Sequence, residues 1–166
     1  DLPFGKFRDK GVPIDNVSNY NSEKEQIVCI TSQTQLNLRQ VVFVTAQSMI
    51  KLVSGGEFDV SKRTVAATKL AEGDQVLSVM PLEEQSQVIL QTKEGFFLKF
   101  AIEEIPEQKK AALGARGMKL GPKDCVENVY YTSNAVECSI EYKGKAIDLN
   151  RMKTARRDGK GTKIRV

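Results

Sequence analysis

No histidine occurs in the 166 residues. That removes Ser-His-Asp and Cys-His nucleophile systems and leaves zinc without a plausible ligand set. The three cysteines, Cys29, Cys125 and Cys138, contain no C-x-x-C pair and read as reduced strand or core thiols of a cytosolic protein. The acidic pairs Glu83-Glu84 and Glu103-Glu104 read as solvated loop charges. What remains for chemistry is basic charge, and it is unevenly placed. Residues 139–166 hold nine Lys or Arg against Glu141, Asp148 and Asp158, so the whole surplus behind the net charge of +4 lies there. Such a cluster favours an anionic partner, of which nucleic acid is the commonest.

The elements that must carry these charges come from an internal repeat. Lys69-Leu70 followed by Asp74, Val76 and Val79 recurs as Lys119-Leu120 followed by Asp124, Val126 and Val129. Val41-x-Phe43-x-Thr45 recurs as Val88-x-Leu90-x-Thr92, and more loosely as Val136-x-Cys138-x-Ile140. Turns at Gln47-Ser48, Glu94-Gly95 and Lys143-Gly144 precede a second apolar run each time, which predicts hairpins. A further element reads Lys10-Gly11-Val12-Pro13-Ile14, Ala66-Ala67-Thr68-Lys69-Leu70, Arg116-Gly117-Met118-Lys119-Leu120 and Lys160-Gly161-Thr162-Lys163-Ile164. After its first copy, Glu25-Gln26-Ile27 resumes the Asp74-Gln75-Val76 pattern. Glycines 117 and 161 read as turn requirements before phosphate-approach sites.

Units of this size with about four short strands predict an all-β, propeller-like array that buries its sheet faces by stacking blades. One repeat domain over 1–166 is expected, with approximate units 1–35 (partial), 36–82, 83–132 and 133–166 (partial). Only short stretches such as Ile102 to Ala112 could form a helical turn, and Pro106 interrupts that one. With hydrophobic residues at 40%, the composition is that of a soluble globular protein. No apolar run is long enough for a membrane span, nothing reads as a signal peptide, and the missing initiator Met suggests a fragment boundary. Without Trp and with Gly55-Gly56 as the sole Gly-Gly pair, Trp-Asp and kelch propellers fit poorly.

The unit resembles the blades of the C-terminal β-pinwheel domain of bacterial type IIA topoisomerase A subunits. Two patterns carry the likeness. One is the hairpin with a basic residue after its turn, Thr45 to Lys51 and Thr92 to Phe100. The other is Gly114-Ala115-Arg116-Gly117-Met118-Lys119-Leu120 before Asp124-x-Val126, and Lys69 to Val76 keeps only its second half. The resemblance covers nearly the whole chain and is strongest over residues 41–129. It implies a non-catalytic domain that binds and bends double-stranded DNA without sequence readout and presents a second duplex to the strand-passage core. The rim contacts it implies are Lys51, Lys62 and Arg63, then Lys99, Lys109, Lys110, Arg116 and Lys119, then Arg156, Arg157, Lys160 and Lys163.

It further implies no cofactor for this domain, ATP and Mg²⁺ for the parent enzyme, and an A2B2 assembly in which the A chain joins an ATPase B chain. It implies a bacterial, cytoplasmic, nucleoid-associated setting with no membrane. Type IIA cleavage needs a tyrosine preceded by arginine, and none of Tyr20, Tyr130, Tyr131 and Tyr142 has that neighbour. Ala155-Arg156-Arg157-Asp158-Gly159-Lys160-Gly161 is the nearest match to the gyrase box Q-R-R-G-G-K-G. Its Asp158 would oppose phosphate binding, and the box lies late in the array, so the likeness leans to topoisomerase IV over gyrase. A propeller that recognises an acidic protein partner is the alternative. The ends of the array are expected either to leave an open crescent or to pair two copies through unpaired strand edges.

Overall fold

The computed structural model describes residues 4–165. Its strands are β1 (Gln40–Thr45), β2 (Met49–Ser54), β3 (Val76–Pro81), β4 (Gln87–Thr92), β5 (Phe96–Ala101), β6 (Ala115–Arg116), β7 (Val126–Thr132), β8 (Ser139–Tyr142), β9 (Lys145–Asp148) and β10 (Thr162–Lys163). Helix is confined to α1 (Gln33–Asn37) and to 3₁₀ turns at Ile14–Asn16, Gly55–Phe58 and Ile102–Glu104. The all-β, propeller-like expectation holds.

Two complete blades form, in the strand orders β3-β1-β2-β6 and β10-β5-β4-β7. Each is centred on a hairpin whose turn chemistry is local. Ser48 (φ 65) and Gly95 (φ 85) take the left-handed position that closes the loop. Thr45 and Thr92 accept through Oγ1 from the amides of Met49 and Phe96. The repeated aspartates seal the same turns from outside. Asp74 Oδ1 accepts from the amides of Gln47 and Gln75, and Asp124 Oδ1 from those of Glu94 and Cys125. The Asp-x-Val pattern is therefore a hairpin clamp at the head of the third strand, and β3 and β7 then pair antiparallel with β1 and β4.

The fourth strand of each blade comes from the next unit. The chain leaves β5, crosses back along β2 where Leu52 bridges Glu107, and lays β6 against Met49 and Ile50. It leaves β9, bridges Lys99 at Thr154, and lays β10 against Phe96 and Phe97. These partners are spaced 47 residues apart throughout, Leu52 to Lys99 and Glu107 to Thr154. The pairing also corrects the expected alignment of the connecting elements. Thr162-Lys163 is the counterpart of Ala115-Arg116, so Gly161 matches Gly114 and not Gly117. Gly161 (φ 74) and Gly114 (φ 100) share a reason: a Cβ would lie 2.6 Å from the Phe97 carbonyl oxygen in one and 3.0 Å from that of Ile50 in the other. Gly117 has no positive φ, and a Cβ there would lie 2.8 Å from Leu90 Cδ1, so it is small for packing.

The main core lies between the blades. Val42, Val44, Ile50 and Leu52 on the back of the first blade meet Val88, Leu90, Leu98 and Phe100 on the front of the second, with Met118 and Val126 closing the layer. Tyr131 of β7 reaches Ser78 of β3 through its hydroxyl at 2.8 Å. A second layer sets Ile89 and Phe97, on the back of the second blade, against Leu149, Ile140, Tyr142 and Ile147 of the β8–β9 hairpin. That hairpin turns through Lys143 (φ 49) and Gly144 (φ 78), the two-residue turn its sequence predicts. It forms a two-stranded sheet by itself. On the front of the first blade, Val41, Phe43 and Val53 are buried and pack against Leu36, Phe58 and Val79.

Candidate nucleic-acid interface

The two connections that carry a swapped strand each carry a basic pair, Lys109-Lys110 and Arg156-Arg157, and Lys62-Arg63 stands one 47-residue spacing earlier. Their inner members are anchors. The Lys110 amide donates to Glu57 Oε2 and its Nζ to the Glu57 carbonyl at 2.8 Å. The Arg157 amide donates to Glu104 Oε2 and its Nε to the Glu104 carbonyl at 2.9 Å, with Nη1 on the Arg116 carbonyl. Glu57 and Glu104 are themselves counterparts, each in the 3₁₀ turn after a hairpin. The Lys110 amide, with Lys109 and Lys110 charges beside it, holds the Glu57 carboxyl below its usual range. Arg63 makes a longer contact, Nη2 to the Val17 carbonyl at 3.4 Å.

The outer members face solvent. Lys62 and Arg156 are exposed, and Lys109 is 85% exposed beside Glu57 Oε1 at 3.3 Å. The three stand at one position of the repeat, 47 residues apart. A second column follows from the strand pairing, Arg116 and Lys163, with Lys69 as the same position one unit earlier. Lys69 is not among the contacts expected from sequence. Motif likeness aligns the connecting elements three residues out of phase, and only the sheet register exposes the column. Lys163 is exposed with Nζ 5.3 Å from the centre of the Phe96 ring.

The loop from Ala155 to Gly161 folds over a surface cavity of about 560 Å³ lined also by Lys99, Met152 and Lys153. Asp158 (φ 67) turns back to Arg116 and takes Nε on Oδ1 and Nη2 on Oδ2. This hydrogen-bonded pair lowers the Asp158 pKa and raises that of Arg116. The loop therefore presents Arg156 and Lys160 outward while Asp158 occupies the second-column arginine. Lys119 is exposed beside them and adds to the field that keeps Asp158 ionised.

Two expected rim contacts are elsewhere. Lys51 is 1% exposed and Lys99 is 3% exposed. Lys51 Nζ donates to the carbonyls of Lys109, Lys110 and Ala112, and Lys99 Nζ to those of Leu149 and Asn150. Both are internal ties that hold a crossing segment to a hairpin, and burial lowers both pKa values. Nor are they counterparts. Lys51 lies opposite Phe43 and Lys99 opposite Ile89, so one projects to the front of its blade and the other to the back. Their spacing misses the repeat by one residue, and in a strand one residue reverses the face.

Among the described residues no cluster of three His, Cys, Asp or Glu side chains could hold a metal ion, and no helix is long and apolar enough to cross a membrane.

Comparison with known proteins places these features. The family model described as "DNA gyrase C-terminal domain, beta-propeller" matches residues 39–83 and 86–133. The DNA gyrase A subunit of Lawsonia intracellularis is 28% identical over 126 residues, which are 75% of this chain and 15% of that protein. The DNA gyrase A subunit of Rickettsia prowazekii is 30% identical over 131 residues, 75% of this chain and 14% of that one. The chain thus spans about one seventh of the curated relatives it matches. Among solved structures, the C-terminal domain of a DNA topoisomerase IV superposes with TM-score 0.82 at 23% identity, over 98% of this chain and 52% of that one. A DNA gyrase A C-terminal domain gives TM-score 0.71 at 20% identity, over 94% and 53%. The likeness to these structures is one of fold.

Proposed function

The chain belongs to the DNA gyrase C-terminal domain β-propeller family, and from that membership we propose that it is a non-catalytic, sequence-independent DNA-binding and DNA-wrapping module of a type IIA topoisomerase. The observation that carries the reading is the recurrence of exposed cations at the repeat spacing. Exposed Lys62, Lys109 and Arg156 repeat at one position of successive units, with Lys69, Arg116 and Lys163 as a second column. A stripe of cations at blade spacing suits phosphates along a curved duplex, with affinity from counterion release and the elastic cost of bending offset by the contacts. An acidic protein partner would need a specific patch, and the outer charges instead follow the repeat.

In this reading the domain serves a parent A subunit paired with an ATPase B subunit in the bacterial cytoplasm, and ATP and Mg²⁺ belong to that parent. The module is topoisomerase IV-like, because Asp158 takes the place of a glycine in the Arg-Arg-x-Gly-Lys-Gly loop and occupies Arg116. If so, relaxed plasmid ligated in its presence keeps its linking number; constrained positive turns, the crossings that strand passage inverts to negative ones, would assign it to gyrase instead.

The direct test is binding to a linear duplex of about 40 base pairs across a salt series. Log affinity should fall against log salt with a slope of roughly −4 or steeper, and the combined Lys62→Glu, Lys109→Glu, Arg156→Glu variant should flatten it. No binding by the folded chain at low salt would overturn the reading.

A further inference from the structure

Two of the basic pairs are held by one bracket, used twice. The 3₁₀ turns Gly55–Phe58 and Ile102–Glu104 follow β2 and β5 directly, and each carries a glutamate, Glu57 and Glu104, 47 residues apart. Each glutamate takes the inner member of a pair at two points. Its Oε2 accepts from the backbone amide, at 2.9 Å from Lys110 and 2.9 Å from Arg157. Its own carbonyl accepts from the side chain, Lys110 Nζ at 2.8 Å and Arg157 Nε at 2.9 Å. The held amide belongs to the peptide that joins the outer cation to the inner one. With that peptide fixed and the inner side chain tied back to the turn, the direction of the outer side chain is set, and Lys109 and Arg156 face solvent. The Glu57 carboxyl lies below its usual range, and the largest cause is this same bond from the Lys110 amide. The third pair has no bracket. The residue 47 before Glu57 is Lys10. Arg63 is exposed and makes one hydrogen bond among the described residues, to the Val17 carbonyl at 3.4 Å, whereas Lys110 and Arg157 are half-buried.

On the DNA-binding reading, on which this rests, we propose that Glu57 and Glu104 are positioning residues for the duplex, each holding an outer cation, Lys109 or Arg156, in the direction from which it meets a phosphate. The role reverses the sign that charge alone would give. A carboxylate among phosphate-binding cations opposes the phosphate, and Glu57 Oε1 lies 3.3 Å from Lys109 Nζ. Simple removal of that charge would strengthen binding. The bracket acts through its acceptor oxygens instead. A cation whose backbone is fixed loses less freedom on meeting a phosphate than one on a free loop, so breaking the bracket weakens binding although a negative charge leaves with it.

Charge-matched variants of the full chain separate the two effects. Glu104→Gln and Glu104→Ala remove the same charge, and only glutamine keeps an oxygen for the Arg157 amide. Glu104 is exposed, so both variants should fold. On a linear duplex of about 40 base pairs across a salt series, Glu104→Gln should bind at least as tightly as the wild type. Glu104→Ala should bind roughly threefold or more weakly at low salt, with a slope flatter by about one. Its Arg157 amide should exchange roughly fivefold faster than in the other two proteins. Equal affinities for the glutamine and alanine variants would overturn the proposal, and so would an Arg157 amide whose exchange is indifferent to alanine. A second comparison leaves both glutamates in place. Lys109→Ala and Arg156→Ala should each cost more affinity than Lys62→Ala, whose pair has no bracket; equal costs at the three positions would also overturn it. A wild-type chain that fails to bind the duplex would sink the DNA-binding reading and this role together, whereas wild-type binding with indistinguishable glutamine and alanine variants would sink this role alone.

Discussion

At the scale of single residues, basic side chains do three different jobs. Lys51 is a buried tie to three carbonyls, Arg157 a half-buried anchor on Glu104, and Arg156 an exposed cation beside it. The jobs separate by experiment. Lys51→Met keeps the stem and removes the ammonium, leaving buried carbonyls unpaired, so denaturant unfolding should report a loss of about 2 kcal/mol with the DNA salt slope unchanged. Arg156→Ala should leave stability alone and reduce the salt slope by about one. Asp158 works in the opposite direction. Asp158→Ala removes a carboxylate from the rim and releases Arg116, so duplex affinity at low salt should rise several-fold and the slope should steepen. Unchanged binding in that variant would mean that Arg116 points away from the duplex.

At the scale of elements, the swapped strands are held by backbone conformation more than by side chains. Gly161 combines a φ of 74 with a Cβ position 2.6 Å from the Phe97 carbonyl, whereas Gly73, at φ 71, has nothing within 4 Å. Alanine at position 73 should cost about 1 kcal/mol, from the left-handed conformation alone. Alanine at 161 must also push β10 off β5 and should cost more than about 2 kcal/mol. Comparing the two melts isolates the close approach. The same strands mark the boundary of what the sequence discloses. The hairpins are legible, because alternating apolar residues and Gly or Ser turns are local signals, and so is the Asp-x-Val segment. Strands β6 and β10 are not. At two residues each they have no periodicity, and their identity lies in pairing with a hairpin about 65 residues away in sequence. The candidate site inherits that ambiguity. Sequence alone passes over Lys69 and puts Lys51 and Lys99 on the rim, because a one-residue phase difference between the two lysines decides which face each occupies.

At the scale of the whole molecule, the blades are coupled twice, by a shared core and by strands lent from one unit to the previous one. Unfolding the first blade uncovers Leu90 and Phe100, and unfolding the second strips β6 from the first, so the two should melt as one unit. Tyr131 offers a probe of that coupling, because its hydroxyl in the second blade meets Ser78 in the first. Burial at this junction pushes its pKa up to about 12 from 10.0, although the Ser78 hydrogen bond pulls the other way. The sign follows from proton uptake. Between these two values the unfolded chain has lost the phenolic proton and the folded chain retains it. The native state thus binds more protons, and stability falls as pH rises. Below pH 10 this contribution is fully present; approaching pH 12 it is gone. The Tyr131→Phe variant cannot titrate at this site, so its stability should decline less steeply between pH 10 and 12 than that of the wild type, with the curves parallel below about pH 9. If the blades are coupled as the swapped strands require, tyrosine absorbance and far-ultraviolet circular dichroism should report the same midpoint at each pH. Separate midpoints would mean that each blade stands without the strand its neighbour lends it.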